Sequence, residues 1–408
     1  MKVITLFALG TIMLLNACTS TEPTENALKT ITLEEGMEAR VDEENSFAFD
    51  FLQETLSTTE EDNVFISPLS VSIAMGMTWN GANGATKEEI KQALKHQGLT
   101  DEQINRYYQI LLNNLPNLDK KTKLILANSI WYKKDFPILK DFLDKNNVYF
   151  NAKVQGLDFS KSESLDIINN WCAEKTNNLI KKPLDQISDN SIAFLINAIY
   201  FKGLWKNKFD SKHTQEATFT AEDNTSTTVD MMNQTESFDY TEDDDAQYID
   251  LSYGNGAFSM LVILPKQGKK INDIAPNLTK TKWKSIISSL NTESIALQLP
   301  RFKVQNKMQL NPILVKLGIE KAFLPEQADF SGISSDAQLY ISRVIHQTYC
   351  EVNEEGTEAA AVTIVDVAVT SIPILKEFRA NKPFLFLIRE KSTGIIVFAG
   401  KIGKIANE

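Results

Sequence analysis

Side chains suited to catalysis are sparse in this 408-residue chain. There are three histidines, His96, His213 and His346, and three cysteines, Cys18, Cys172 and Cys350. None falls in a GxSxG elbow, an HExxH helix, a Walker loop or a CxxC pair, the spacings that build a nucleophile, a zinc site or a phosphate cradle. Gly81-Ala82-Asn83-Gly84 is glycine-rich, but it follows a helical run and lacks the Gly-Lys-Ser/Thr ending, so it reads as a helix-ending turn. A dispersed Ser-His-Asp triad leaves no local signature, because geometry rather than order defines it; a hydrolase therefore stays as an alternative. No catalytic residue, metal site or cofactor is expected.

The chemistry that spacing does support belongs to a strand. Residues 353–373 read Asn-Glu-Glu-Gly-Thr-Glu-Ala-Ala-Ala-Val-Thr-Ile-Val-Asp-Val-Ala-Val-Thr-Ser-Ile-Pro. From Thr357 to Ser371 there is no Gly or Pro, and the only charges are Glu358 and Asp366. Taken by twos, Thr357, Ala359, Ala361, Thr363, Val365, Val367 and Val369 make one face of small or β-branched side chains, suited to the middle of a sheet. Gly356 stands at the root like a hinge. An ordinary buried strand entered through a glycine turn satisfies the same pattern.

The block Glu354-Glu355-Gly356-Thr357-Glu358-Ala359-Ala360-Ala361 resembles the proximal hinge of the reactive centre loop of the serpins, the conformationally trapping protease inhibitors. Three further blocks resemble the family in the same order: Asn63 to Ser70 (NVFISPLS), Asn197 to Trp205 (NAIYFKGLW) and Phe378 to Phe384 (FRANKPF). The resemblance spans about residues 43–405. It implies an α+β serpin fold, with about eight or nine helices around three mostly antiparallel sheets and an exposed loop over about residues 354–377. It also implies a function: inhibition of a serine endopeptidase as a suicide substrate, in which the cleaved loop enters the central sheet and traps the acyl-enzyme.

By position, the resemblance assigns Ser67, Ser70, Asn197 and His346 to a polar shutter beneath the sheet, and Trp205, Arg301 and Glu354 to the breach at its top. Arg301 stands where relatives commonly carry lysine, and its forked donor set suits a carboxylate. Family spacing puts the cleaved bond at Thr370–Ser371, within one or two residues. No Lys or Arg lies between Val344 and Leu375, so an elastase-like protease is the expected covalent partner rather than a trypsin-like one. A cysteine protease target and a non-inhibitory, binding-only serpin are the alternatives, and a solute-binding lipoprotein is a third.

Composition sets outer limits. A net charge of −11 argues against nucleic acid or a heparin-like polyanion as partner, and 43% hydrophobic content allows a large core. A monomer is expected. Cys172 and Cys350 are too few for a disulfide framework, and Cys350 reads as a buried small hydrophobe. The N-terminus carries Lys2 and an apolar run from Val3 to Leu15, too short for a membrane helix. Leu14-Leu15-Asn16-Ala17-Cys18 resembles the lipobox of bacterial lipoproteins; a plain secretory signal is the alternative. The domain reading is a lipoprotein signal over 1–17, a lipidated Cys18 with a flexible tether over 18–42, and one domain over 43–408. The expected location is the bacterial envelope at the outer membrane, facing the periplasm or the outside.

Periodicity predicts the elements that would hold these residues. Asn45–Leu56 is a helix, Ser67-Pro68 caps and starts another ending near Gly81, and Thr86 with Glu89 forms a capping box for a third. Residues 124–132, 193–201, 248–253, 258–264 and 339–345 read as strands, and Phe384–Ile388 pairs with Ile395–Ala399 as a hairpin.

Overall fold

The structure, a computed structural model, describes residues 26–188, 191–336, 338–357 and 375–406. Its helices are α1 (Glu38–Thr58), α2 (Pro68–Trp79), α3 (Gly84–Ala93), α4 (Asp101–Asn114), α5 (Lys140–Phe150), α6 (Ser162–Lys175), α7 (Ile271–Ile274), α8 (Lys280–Ser289) and α9 (Asn311–Lys316). The strands up to residue 252 are β1 (Asn63–Ile66), β2 (Thr122–Lys133), β3 (Lys153–Leu157), β4 (Ala193–Leu204), β5 (Gln215–Thr220), β6 (Ser226–Glu242) and β7 (Ala246–Ser252). There follow β8 (Phe258–Pro265), β9 (Asn291–Pro300), β10 (Phe302–Gln309), β11 (Ile345–Asn353), β12 (Gly356–Thr357), β13 (Lys376–Arg379), β14 (Phe384–Glu390) and β15 (Ile396–Ile402).

Local chemistry accounts for the helix starts. Ser67 has extended backbone, accepts the Ser70 N–H through its hydroxyl at 3.2 Å and puts Pro68 at the first helical position, as expected. The capping box expected at Thr86 and Glu89 does not form. The third helix begins earlier, at Gly84, so Thr86 lies inside it, buried, where its hydroxyl accepts the Asp329 N–H. Glu89 instead accepts the N–H groups of Glu320 and Lys321 across a tertiary contact.

The described strands form two sheets rather than the expected three. One has six strands in the order β10-β11-β12-β4-β2-β3; the other has nine, β1-β15-β14-β8-β7-β6-β9-β13, with β5 beside β6. The expected division is lost because β6 runs unbroken for 17 residues. It pairs with β5 early, with β9 along Met231–Tyr240 and with β7 at its end, fusing what would be separate sheets. The expected hairpin is β14 with β15, turning through Gly394 at φ +79°. The run 339–345 is not a strand. Its backbone is committed elsewhere: Val344 bonds Asn311 and Leu310 at the start of α9, and Ile341 N–H donates to Ala322 O. Strand pairing begins at Ile345.

The six-stranded sheet is covered on both faces. Beneath it, α2 is buried along almost its whole length against the main core. Above, Ile168, Trp171 and Cys172 of α6 pack on Trp131, Leu157 and Ala198. Cys172 and Cys350 are both buried free thiols, and burial pushes Cys172 up to about 12.

Residues 26–42 are not a free tether. Helix α1 starts at Glu38, and the segment before it is bound to the body. Asn26 donates to Asp119 Oδ1 at 2.7 Å and accepts from Lys120 N–H, Ala27 O accepts from Asn255, and Ile31 N–H donates to Ser392. Ile31 is buried, and Glu34 pairs with Arg106 at 2.7 Å. The composition that reads as a tether hides apolar anchors at Ile31, Leu33 and Met37.

Candidate functional site

Strands β4 and β11 run parallel, and β12 lies between them, antiparallel to both. Gly356 faces Leu204 and Asn353, and Thr357 faces Gly203 and Val352. The hinge therefore already occupies the first two positions of a strand. Gly356 has φ +149°, and a Cβ there would lie 2.0 Å from Gly203 O, so only glycine allows this approach. Thr357 is buried and points into the core, where its hydroxyl meets Tyr253 Oη at 2.7 Å. Tyr253 reaches it because Gly203 has no side chain: a Cβ there would sit 2.7 Å from the tyrosine ring.

An ionic cluster closes the top. The Arg301 guanidinium donates to both oxygens of Glu354, Nε to Oε2 at 2.9 Å and Nη2 to Oε1 at 2.5 Å, while its Nη1 reaches Asp230 at 2.8 Å. Thr214 also donates to Glu354. Burial works against charge on Glu354, but the bonds from Arg301 and Thr214 outweigh it and hold the carboxyl below its usual range. Trp205 donates from its indole to Asn353 O at 2.9 Å and stacks on Tyr253 with centroids 4.5 Å apart. The Trp205 and Phe209 N–H groups donate to the Glu355 and Glu354 carbonyls, and Lys208 pairs with the Glu355 carboxylate.

At the other end, no ladder joins β4 to β11 among the described residues, and a cavity of about 300 Å³ lies between them. Asn197 and His346 stand on its opposite walls. His346 Nε2 accepts the Ser67 N–H at 3.0 Å, which fixes a neutral ring protonated on Nδ1, and burial lowers its pKa to about 4. Ser67 donates to Val397 O, and Ser70 donates to Asn197 Oδ1. Asn197 in turn donates to Asn128, which donates to Phe150 O. The four residues Ser67, Ser70, Asn197 and His346 thus form two half-networks meeting at the start of α2, where Ser70 N–H donates to Ser67 Oγ.

Asp230, Thr214, Lys208 and Asn128 are additions that sequence reading missed. Asn128 carried a signal: it is a lone amide in the apolar run of β2, and it faces Asn197, the lone amide in the apolar run of β4. Of the other three, Thr214 and Lys208 lie on loops and Asp230 lies within β6, without a motif. Glu358, Ala359, Ala360, Ala361, Thr370, Ser371 and Cys18 lie outside the described residues.

A family model described as "Serpin (serine protease inhibitor)" matches residues 42–405. The chain belongs to the serpin family. Human Serpin B11 is 33% identical over 380 residues, covering 87% of this chain and 97% of that protein. The thermophilic serpin Tengpin in its native state is similar in structure, with TM-score 0.84 and 33% identity, covering 93% of this chain and 97% of that one. Thyroxine-binding globulin in complex with thyroxine matches with TM-score 0.81 and 27% identity, covering 90% of this serpin and all of that chain (100%). Serpins are in general protease inhibitors rather than enzymes; in this serpin Gly356 and Thr357 lie between β4 and β11, and Asn197 and His346 line the cavity further along the same two strands.

Proposed function

We propose that this serpin inhibits serine endopeptidases of elastase-like specificity as a suicide substrate. The protease serine attacks the Thr370 carbonyl, the Thr370–Ser371 bond breaks, and Ser371 leaves as a free amine carrying the proton, so that Thr370 stays esterified to the enzyme. The freed segment then extends β12 down the gap and carries the acyl-enzyme to the far end of the sheet. Fifteen residues at about 3.3 Å each correspond to a travel of roughly 50 Å.

The observation that carries this reading is the two-residue β12 seated between parallel strands above a cavity. Continued in the same register, its ladder sets Ala359 against Phe201 and Cys350, Ala361 against Ile199 and Thr348, and Thr363 against Asn197 and His346. The small inward face then meets the core, and the Thr363 hydroxyl meets the two amide and imidazole groups that face the cavity. The absence of basic residues from Val344 to Leu375 supports the elastase-like class, and the lipobox supports anchoring of the exported protein to the outer membrane through Cys18.

Incubation with pancreatic elastase and trypsin, followed by denaturing gels and mass measurement of the released peptide, tests the proposal. The expected result is a detergent-stable elastase complex and a peptide beginning at Ser371 or within two residues of it. Cleavage with no complex makes this a binding-only serpin, and a stable trypsin complex released at Lys376 rejects the specificity.

A further inference from the structure

The net charge of −11 hides a local reversal at the breach end of the six-stranded sheet. Lys121 and Lys123 sit at the start of β2, Lys202 and Lys206 at the end of β4, and Lys29 on the docked N-terminal segment. Lys123, over the Tyr200 ring, and Lys202 are directly opposed across the strands, an arrangement of like charges that a nearby anion would ease. The N-terminal segment joins the body at this same place. Asp119, buried, accepts from Asn26 with Oδ1 and from the Thr122 hydroxyl and the Asn255 N–H with Oδ2, and the neighbouring Gly254 N–H donates to Leu204 O beside Gly356. The fit around this carboxylate is tight: a Cβ on Gly254 would lie 1.8 Å from Asp119 Oδ2.

We infer that this lysine-bearing end is a membrane-docking surface, held against anionic lipid headgroups with the loop root on the membrane side. The inference rests on lipidation of Cys18, part of the reading above. Only residues 19–25 separate Cys18 from Asn26. Eight Cα steps reach at most about 29 Å, less than the length of β2, so the anchor cannot present the far end of the sheet to the membrane while Asn26 stays bound. Each lysine near an anionic surface adds about 1 kcal/mol, about fivefold in partition, so the patch and the short leash select the same face.

The test uses the full lipidated chain in vesicles of phosphatidylglycerol and phosphatidylcholine that carry an acceptor lipid dye. A donor dye sits at Asn207→Cys beside the lysines or at Asp135→Cys just past the far end of β2, roughly 40 Å away by strand length. Energy transfer from the Asn207 position should exceed that from Asp135 about threefold or more, given that separation. The combined change Lys121→Gln, Lys123→Gln, Lys206→Gln should narrow the difference without abolishing it, because the leash still holds Asn26 within about 29 Å of the membrane. Equal or reversed transfer in a chain that sediments with vesicles overturns the inference, as does a difference that the triple change leaves unaltered. In a second arm, the Cys18→Ser chain should lose about fivefold in partition to phosphatidylglycerol vesicles per lysine replaced. Unchanged partition there overturns the surface itself, whereas failure of the unaltered chain to sediment overturns the lipid anchor.

Discussion

The two ends of the gap between β4 and β11 are closed by different chemistry. At the top, an exposed Arg301 is paired with a buried Glu354, both charged, and the backbone of β12 completes the ladder on both sides. At the bottom, Asn197 and His346 are neutral, part-buried or buried, and face one another across a cavity without a strand of the described chain between them. The exposed Arg301 guanidinium can exchange partners with water at modest cost. The buried His346 imidazole cannot. On the insertion mechanism proposed above, the difference would separate two tasks: the top admits the strand, and the bottom sets what is gained once the strand arrives.

The largest expected effect comes from blocking admission. Thr357→Arg removes the hydroxyl bonded to Tyr253 and puts an unpaired cation against the Trp205–Tyr253 stack, at roughly 3–5 kcal/mol for a buried charge without a partner. Loop cleavage should stay rapid while the yield of covalent complex falls steeply, turning inhibitor into substrate. Measured stoichiometry of inhibition decides the matter. A value unchanged from the unaltered chain would mean that the strand does not enter past Thr357.

The second effect belongs to the bottom. His346 has a folded pKa of about 4, below its unfolded value of about 6.5, so the unfolded chain binds the proton first as pH falls. Stability from this residue is complete above pH 6.5, drops between 6.5 and 4, and is flat below; the full loss is on the order of 3 kcal/mol. A charged ring also cannot accept the Ser67 N–H, so acid should loosen the lower gap before the ionic top. His96, kept neutral by burial in a separate cluster with Tyr108, adds a slope of its own. His346→Gln should therefore flatten part of the pH dependence of the unfolding midpoint between pH 4 and 6.5. An identical slope would assign all of it to His96.

The same contrast governs what was legible in the sequence. Patterns carried by one segment read well: the Ser67-Pro68 cap, the β14–β15 hairpin and the glycine at 356. Features set by partners distant in sequence did not. Glu89 has the spacing of a cap, yet it serves a turn more than 200 residues away, and residues 339–345 have strand composition but spend their backbone bonds on α9. The length of β6 fused two sheets because nothing within it, neither Gly nor Pro, breaks the run. Ile31 and Leu33 looked like tether residues because an anchor of two or three apolar side chains has no period to detect.

The smallest effect, and the sharpest probe of the top, is the breach pair. Glu354→Lys faces Arg301 with a like charge and also loses the Thr214 bond, at about 1–2 kcal/mol given that the guanidinium is 42% exposed. The mouth should loosen, leaving β4 and β11 edges able to accept a strand from a second molecule. Mild heating should then give chains of linked monomers, seen by size exclusion. Adding Arg301→Glu restores an opposite pair, but the new carboxylate also meets Asp230, which sits 2.8 Å from Arg301. Rescue should therefore be partial in the double variant and nearly complete once Asp230→Asn is added. If the double variant polymerises as readily as Glu354→Lys alone, and Asp230→Asn makes no difference, the pair does not hold the top of the sheet, and closure there depends on the β12 ladder and the Trp205 contacts.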